Sequence, residues 1–230
     1  MNNIAIILSG GTGSRMGSEI PKQYIEIGGK PVIAYCLEQF ANHRHIDAVI
    51  IGVAEEWQPY VEKTVRNLHT PKPVYYAAAG GVRQESIYKA LQVAKTHFAD
   101  DDVVLIHDAA RPNVSRRLID ACLDACAEYD GAMPVLPVKD TMYQSVDGLT
   151  ISALLPRETL YAGQAPEAFR LGKYWAVHQA LPYEVMMKIR GSSEIAYRQG
   201  LTIKLVTGEE SNYKITVPED LERFRLSIKA

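Results

Sequence analysis

NIAIILSGGTGSRMG, residues 3–17, is the stretch on which the fold turns. It begins as a short apolar run rich in β-branched Ile and leaves that run with three glycines in four positions, Gly10, Gly11 and Gly13. A buried strand feeding a glycine loop is the opening of an α/β unit, in which crossover helices join parallel strands. The pattern recurs outward from it. Strands are predicted near 47–53 (DAVIIGV), 73–77 (PVYYA), 102–107 (DVVLIH), 132–138 (AMPVLPV) and 202–206 (TIKLV). Helical periodicity fills 31–41, 56–68, 84–98, 114–128 and 218–228, with Pro31 at a favoured first helical position and Glu219 and Asp220 in an acidic first turn. The expected architecture is a mostly parallel sheet flanked by helices, forming one domain over 1–230.

One segment departs from this pattern. Between Asp140 and Gln164 an Asp147-Gly148 turn signal separates two β-prone runs, which predicts a protruding antiparallel hairpin, an arm at about 139–164. An isolated hairpin is marginal in water, so the arm is expected to pack against a second copy in a homodimer.

Composition excludes several functions. The chain has 25 Lys+Arg against 27 Asp+Glu, and a formal charge of −2 leaves no basic excess for a run of nucleic-acid phosphates. The longest apolar runs, IAIIL at 4–8 and VVLI at 103–106, fall far short of the roughly 20 residues a membrane span needs. MNNIAIILSGG has no basic leader region, and a cytoplasmic protein is expected. Cys36, Cys122 and Cys126 are odd in number, and the last two lie four apart in a helical pattern, which suits buried thiols.

The glycine loop carries the chemistry. Without Cβ atoms, successive backbone N–H groups can converge on an anion, and a nucleotide phosphate is the natural guest. A dinucleotide fingerprint starting at Gly11 fails at Met16, and a P-loop fails for want of Gly-Lys-Ser/Thr. A glycine turn that merely joins strand to helix is the plain alternative. Against it stand Arg15 within the loop and Lys22 in PKQY (21–24), two cations beside one cradle. Phosphoryl transfer is catalysed by that kind of positioning and charge neutralisation.

Further along, Arg83, Gln84 and Ser86 in AGGVRQES (79–86) could read a base or ribose from a helix start, or form an ordinary polar first turn. HDAARP (107–112) follows a buried strand, so it lies where ligands of open α/β sheets collect. Asp108 there is the expected Mg²⁺ contact, since Mg²⁺ needs only one or two carboxylates beside phosphate oxygens and water. His107 reads as a hydrogen-bonded structural histidine, and Arg111 either meets substrate or braces the loop through Asp108. His43, His45, His69, His97 and His178 show no metal or triad spacing and are assigned no chemistry.

Taken together, LSGGTGSRMG, PKQY, GGVRQES, HDAARP, PVKDTM, GQAPEAF and NYKITVPEDL resemble the cytidylyltransferases that act on sugar-alcohol phosphates, a family containing the 2-C-methylerythritol 4-phosphate and ribitol 5-phosphate enzymes. The resemblance runs from residue 4 to about 224. It implies a nucleotide-diphospho-sugar-transferase fold with a dimerising arm, and a Mg²⁺-dependent transfer of CMP from CTP to an alditol phosphate, with release of pyrophosphate. It places transition-state stabilisation on Arg15 and Lys22, and the nucleotide loop on Leu8, Ser9, Gly10 and Gly11 with Gly13 alongside. Cytidine contacts fall on Gly80, Gly81, Arg83, Gln84 and Ser86, and the metal on Asp108. Arg157 and Lys214 match residues that hold the attacking phosphate. Thr141 matches a residue lining the acceptor pocket, and a dimer would lend Arg157 to the neighbouring site.

Two branches compete for the acceptor. Gly10-Gly11, LYAGQAPEAF and GEESNYKIT resemble the ribitol branch, whereas PVLPVKDTM and HDAARP resemble the methylerythritol branch. The Thr-Asp-Glu-Ala element of the latter has GSSEIA (191–196) as its nearest counterpart, so ribitol 5-phosphate is the expected acceptor and methylerythritol 4-phosphate the alternative. A Rossmann oxidoreductase and a catalytically silent nucleotide binder are the more distant rivals.

Overall fold

The Ile-rich opening run is strand β1 (Asn3–Leu8) in the computed structural model, which describes residues 1–11 and 20–229. Ile4 through Ile7 are fully buried, as expected of a parallel strand covered on both faces. Beyond the glycine loop, a turn of 3₁₀ helix at Lys22–Tyr24 leads into the short ladder β2 (Glu26–Ile27) and β3 (Lys30–Pro31). Gly28 and Gly29 close that ladder at φ +59° and +83°, left-handed values that favour glycine.

Then follow α1 (Val32–Ala41), β4 (Ala48–Val53), α2 (Gln58–Leu68), β5 (Val74–Ala78), α3 (Arg83–His97) and β6 (Val103–Asp108). After them come α4 (Arg116–Ala125), β7 (Gly131–Pro137), β8 (Met142–Gln144), β9 (Ala153–Leu155), β10 (Tyr161–Gly163) and β11 (Glu167–Arg170). The chain ends with α5 (Leu171–Ala180), α6 (Tyr183–Met186), α7 (Ser192–Arg198), β12 (Ile203–Thr207) and α8 (Pro218–Lys229).

Eight strands form one sheet in the order β10-β7-β11-β6-β1-β4-β5, with β12 on the other side of β7. The block β6-β1-β4-β5 is wholly parallel, as is β12 with β7, whereas β11 runs antiparallel between β6 and β7. Side chains alternate between the two faces of the sheet. Ala5, Ile7, Val49, Ile51 and Leu105 pack with Leu37, Phe40, Val61 and Ile119 of α1, α2 and α4. Ile4, Ile6, Ile50, Val104 and Ile106 pack with Ile87, Leu91, Tyr174 and Ile195 of α3, α5 and α7. This double-sided burial brings the carboxyl ends of β1, β5 and β6 to one rim of the sheet.

All six expected strands are present, within a residue or two of their predicted bounds. Pro31 turns out to be the residue that caps α1 in extended geometry rather than its first helical residue. The expected hairpin forms from β8 and β9, with Gly148 at φ +73° and Asp147 Oδ1 accepting the amides of Leu149 and Thr150, both at 2.8 Å. It is shorter than expected. Tyr161–Gly163 pair with β7, so the chain has rejoined the main sheet before Gln164. Among the described residues no helix is long and apolar enough to cross a membrane.

Candidate active site

Where β1 ends, its chain is held close to β4. Ser9 donates its amide and its hydroxyl to Gly52 O, at 2.8 and 2.9 Å, and is itself buried. Gln23 Nε2 then donates to both Ser9 O (2.6 Å) and Gly11 O (2.7 Å), and Tyr24 Oη donates to Ser9 O at 2.9 Å. Tyr24 is fixed in turn by stacking on Trp57, ring centroids 4.6 Å apart. The start of the loop is therefore pinned through the carbonyls of Ser9 and Gly11. Gly10 approaches the end of β5 so closely that a Cβ there would overlap Ala79 Cβ, so glycine at position 10 is a packing requirement.

Facing that loop is the N-terminus of α3, whose dipole and free amides favour an anion. Its entrance is preorganised by its own side chains: Ser86 Oγ accepts the Gly80 amide at 2.9 Å and Glu85 Oε2 accepts the Gly81 amide at 2.7 Å. Between loop and helix lies a cavity of about 450 Å³, lined by Leu8, Gly10, Gly11, Lys22, Gly80, Gly81, Arg83, Ser86, Asp108 and Lys214 among others. Three of those side chains are cationic and one, Asp108, is a carboxylate. A cavity of this size with a surplus of positive charge suits a polyphosphate.

Asp108 closes β6 and is the hub of the site. Arg83 Nε lies 3.2 Å from its Oδ1, and Lys214 Nζ and Arg111 Nε lie 3.0 and 3.7 Å from its Oδ2. Burial alone would raise the Asp108 carboxyl, but the charges of Arg83, Lys214 and Arg111 outweigh it and hold the group far below the usual carboxylate range. It is an anion throughout the working pH range. Arg83 is gripped from three sides, since Nη1 donates to Ser192 Oγ at 2.6 Å and Nη2 lies 3.5 Å from Glu167 Oε1. The buried Glu167 carboxylate also accepts the Ser193 amide (2.7 Å) and hydroxyl (2.6 Å) through Oε2.

A second cavity, of about 700 Å³, opens on the far side of this network. Its polar wall includes Arg111, Glu167, Arg190, Ser193 and Glu194, and its apolar wall includes Met133, Ile203 and Leu205. Arg83, Asp108 and Lys214 line both cavities, so the two volumes meet across three charged side chains.

The sequence-predicted residues fall into four groups. Leu8, Gly10, Gly11, Lys22, Gly80, Gly81, Arg83, Ser86, Asp108 and Lys214 are brought together at the first cavity, and Arg111 at the second. Ser9 sits beneath the loop, and Gln84 is buried against His178, donating to its Nε2 at 2.7 Å, so neither side chain lines the cavity. Thr141 and Arg157 lie on the arm, around a separate recess of about 280 Å³, where Arg157 Nη1 donates to Lys139 O at 2.9 Å. Gly13 and Arg15 lie outside the described residues.

His107 has the structural character its sequence position suggested. It is fully buried, with Nε2 3.0 Å from Arg111 O, and burial lowers its pKa to about 4. Gln23, Glu167 and Arg190 are site residues that sequence reasoning did not find. The GSSEIA segment, singled out as the nearest counterpart of an acceptor element, places Gly191, Ser193 and Glu194 in the wall of the second cavity.

Residues 3–229 match the family model of IspD, 2-C-methyl-D-erythritol 4-phosphate cytidylyltransferase. The chain belongs to this family. It is 34% identical over 221 residues to the 2-C-methyl-D-erythritol 4-phosphate cytidylyltransferase of Geobacillus thermodenitrificans, covering 96% of this chain and 94% of that one. It is 31% identical over 231 residues to the ribitol-5-phosphate cytidylyltransferase of Lacticaseibacillus paracasei, covering 98% and 97%. Among solved structures, the 2-C-methyl-D-erythritol 4-phosphate cytidylyltransferase of Francisella tularensis superposes with a TM-score of 0.80 at 25% identity, over 98% of this chain and 99% of that one. Membership makes the chain a nucleotidyltransferase of the IspD family, with relatives named for two different acceptors.

Proposed function

We propose that the whole chain acts as one catalytic unit that transfers CMP from CTP to an alditol phosphate, D-ribitol 5-phosphate, releasing pyrophosphate. The single observation that carries this reading is the pair of cavities sharing Arg83, Asp108 and Lys214. A transfer between two anionic substrates needs two volumes with a common cationic boundary where the reacting atoms meet.

In this reading the first cavity takes the triphosphate, against the Gly10–Gly11 amides and the start of α3. The acceptor phosphate enters from the second cavity beside Lys214. One of its oxygens attacks the α-phosphorus of CTP, the bond from that phosphorus to the bridging oxygen breaks, and pyrophosphate leaves with the electron pair. A phosphate monoester is already ionised near neutral pH, so no general base is required. The buried, neutral His107 is consistent with that. Lys22 and Lys214 neutralise charge gathering on the phosphoryl oxygens, with Arg15 assigned the same work by its place in the loop.

Asp108 is the only carboxylate among the described residues lining the first cavity, and it stays ionised, as a hard oxygen ligand for Mg²⁺ must. Its oxygens already face three cations, so it fits a metal that brings phosphate oxygens with it rather than a cage built by protein alone. Bound there, Mg²⁺ would neutralise phosphate charge and polarise the reacting centre. Arg157 and Thr141, standing apart on the arm, fit completion of a neighbour's acceptor site in a homodimer.

A second acceptor, 2-C-methyl-D-erythritol 4-phosphate, is favoured by the relatives at 34% identity that carry its name. The deciding experiment offers purified protein CTP and Mg²⁺ with each acceptor in parallel, reading pyrophosphate. The highest kcat/KM is expected for ribitol 5-phosphate. A preference for methylerythritol phosphate overturns the acceptor, and no release with any alditol phosphate overturns the reaction.

A further inference from the structure

Away from both cavities, the turn that leaves α1 carries His43 and His45, and the outward face of α4 presents Asp120 to them. His45 Nδ1 lies 2.9 Å and His43 Nε2 3.4 Å from the same oxygen, Asp120 Oδ1. The three donor atoms all lie within 4.8 Å of one another, and this is the one such group of three found among the described residues. We infer that His43, His45 and Asp120 form a binding site for a divalent metal of the zinc class.

The spacing is what a metal requires. Zinc with bonds of roughly 2.0–2.1 Å in tetrahedral geometry holds its ligand atoms about 3.3 Å apart. The two separations to Asp120, 2.9 and 3.4 Å, bracket that edge, and all three donor atoms lie within 4.8 Å of one another. Two imidazoles and one carboxylate select zinc, nickel or copper over Mg²⁺, which prefers oxygen donors. The fourth position opens to solvent, because His45 is exposed while His43 is 2% exposed.

The supports are firm on both sides. The His43 amide donates to Phe40 O and the Ile46 amide to His43 O, each at 3.2 Å, which fixes the turn. Across the gap, α4 is capped by Ser115 Oγ accepting the Leu118 amide at 3.1 Å.

Two features oppose the ion. Metal at His43 Nε2 sends the ring proton to Nδ1, which receives the His45 amide at 3.3 Å, so that long contact has to open. Lys72, hydrogen-bonded to the His43 carbonyl, adds a nearby positive charge. Both weaken binding without blocking access.

The test uses tag-free, chelator-treated full-length protein titrated with Zn²⁺ alone by calorimetry, and with Co²⁺ to read the visible band of a tetrahedral nitrogen–oxygen site. One ion per chain is expected. The surface substitutions His45→Ala and Asp120→Asn are each expected to weaken affinity at least about tenfold, with unchanged thermal midpoints in chelator and unchanged pyrophosphate release from CTP. No saturable uptake, or wild-type affinity in either variant, overturns the site.

Discussion

Replacing Lys22 by alanine removes one positive charge from the wall of the first cavity and leaves the glycine loop pinned through Gln23 and Tyr24. If Lys22 stabilises charge that builds up only during transfer, turnover falls by roughly two or more orders of magnitude, the scale for one preorganised stabiliser, while the CTP dissociation constant moves far less. Steady-state kinetics with a separate binding titration measure both. Equal losses would make Lys22 a ground-state contact only. Glu167 tests the other cavity. It grips Arg83 and two groups of Ser193, all at the wall of the second cavity. Glu167→Gln keeps the shape but discharges one side of the clamp, while Asp108 still holds Arg83. The acceptor KM is expected to rise roughly tenfold, the worth of one charge-assisted hydrogen bond, with the KM for CTP little changed. A rise confined to CTP would remove Glu167 from the acceptor side. Neither Glu167 nor Gln23 could be picked out of the sequence. A single Glu or Gln carries no pattern, and what makes each important is a partner brought close only by folding.

At the scale of elements, the arm is the part whose proposed role extends beyond one chain. It is exposed along its length, with Val146 and Leu149 at 86% and 90% relative exposure, and it holds Thr141 and Arg157 away from either cavity. If the arm docks on a partner, Arg157→Ala and Lys22→Ala damage different chains of each shared site. Mixing the two variants under conditions that exchange subunits is expected to regain more activity than either has alone, because one site per mixed dimer receives both intact side chains. Activity of the mixture equal to the average of its components would mean that each chain supplies its own Arg157. The arm itself was legible because Asp147-Gly148 is a turn signal whatever surrounds it. The central strands were legible because Ile and Val fill them on both faces. The stretch from Glu167 to Arg198 was not. β11 is four residues long, α6 is four and α7 seven, too short for either period to declare itself. β11 and α7 supply Glu167, Ser193, Glu194 and Tyr197 to the second cavity, so that side of the site was the part least visible in sequence.

Across the whole molecule, three buried histidines, His43, His107 and His178, have pKa values lowered by burial, and the latter two are lowered far. Burial lowers both His107 and His178 to about 4, from an ordinary value of 6.5. Between those two values the unfolded chain takes up protons that the folded chain refuses, so stability falls as pH drops through that window and is level above it. Each fully buried histidine can contribute up to about 3 kcal/mol to that loss. Carboxylates act elsewhere on the scale. Asp108 is held below its ordinary value by Arg83, Lys214 and Arg111, and its contribution is lost only below about pH 4. The histidine effect can therefore be isolated at mildly acid pH. His178 is suited to the test because it lies against Gln84 and Tyr174, outside both cavities. His178→Gln removes a group that titrates and keeps hydrogen-bonding atoms in the same space. The variant is expected to be less stable than the parent at pH 7.5 from imperfect packing. Its urea-unfolding free energy should decline less steeply between pH 6.5 and 4.5, and the gap should close with acidification. Parallel profiles for the two proteins would show that His178 keeps an ordinary pKa in the fold, and that the acid sensitivity resides in other groups.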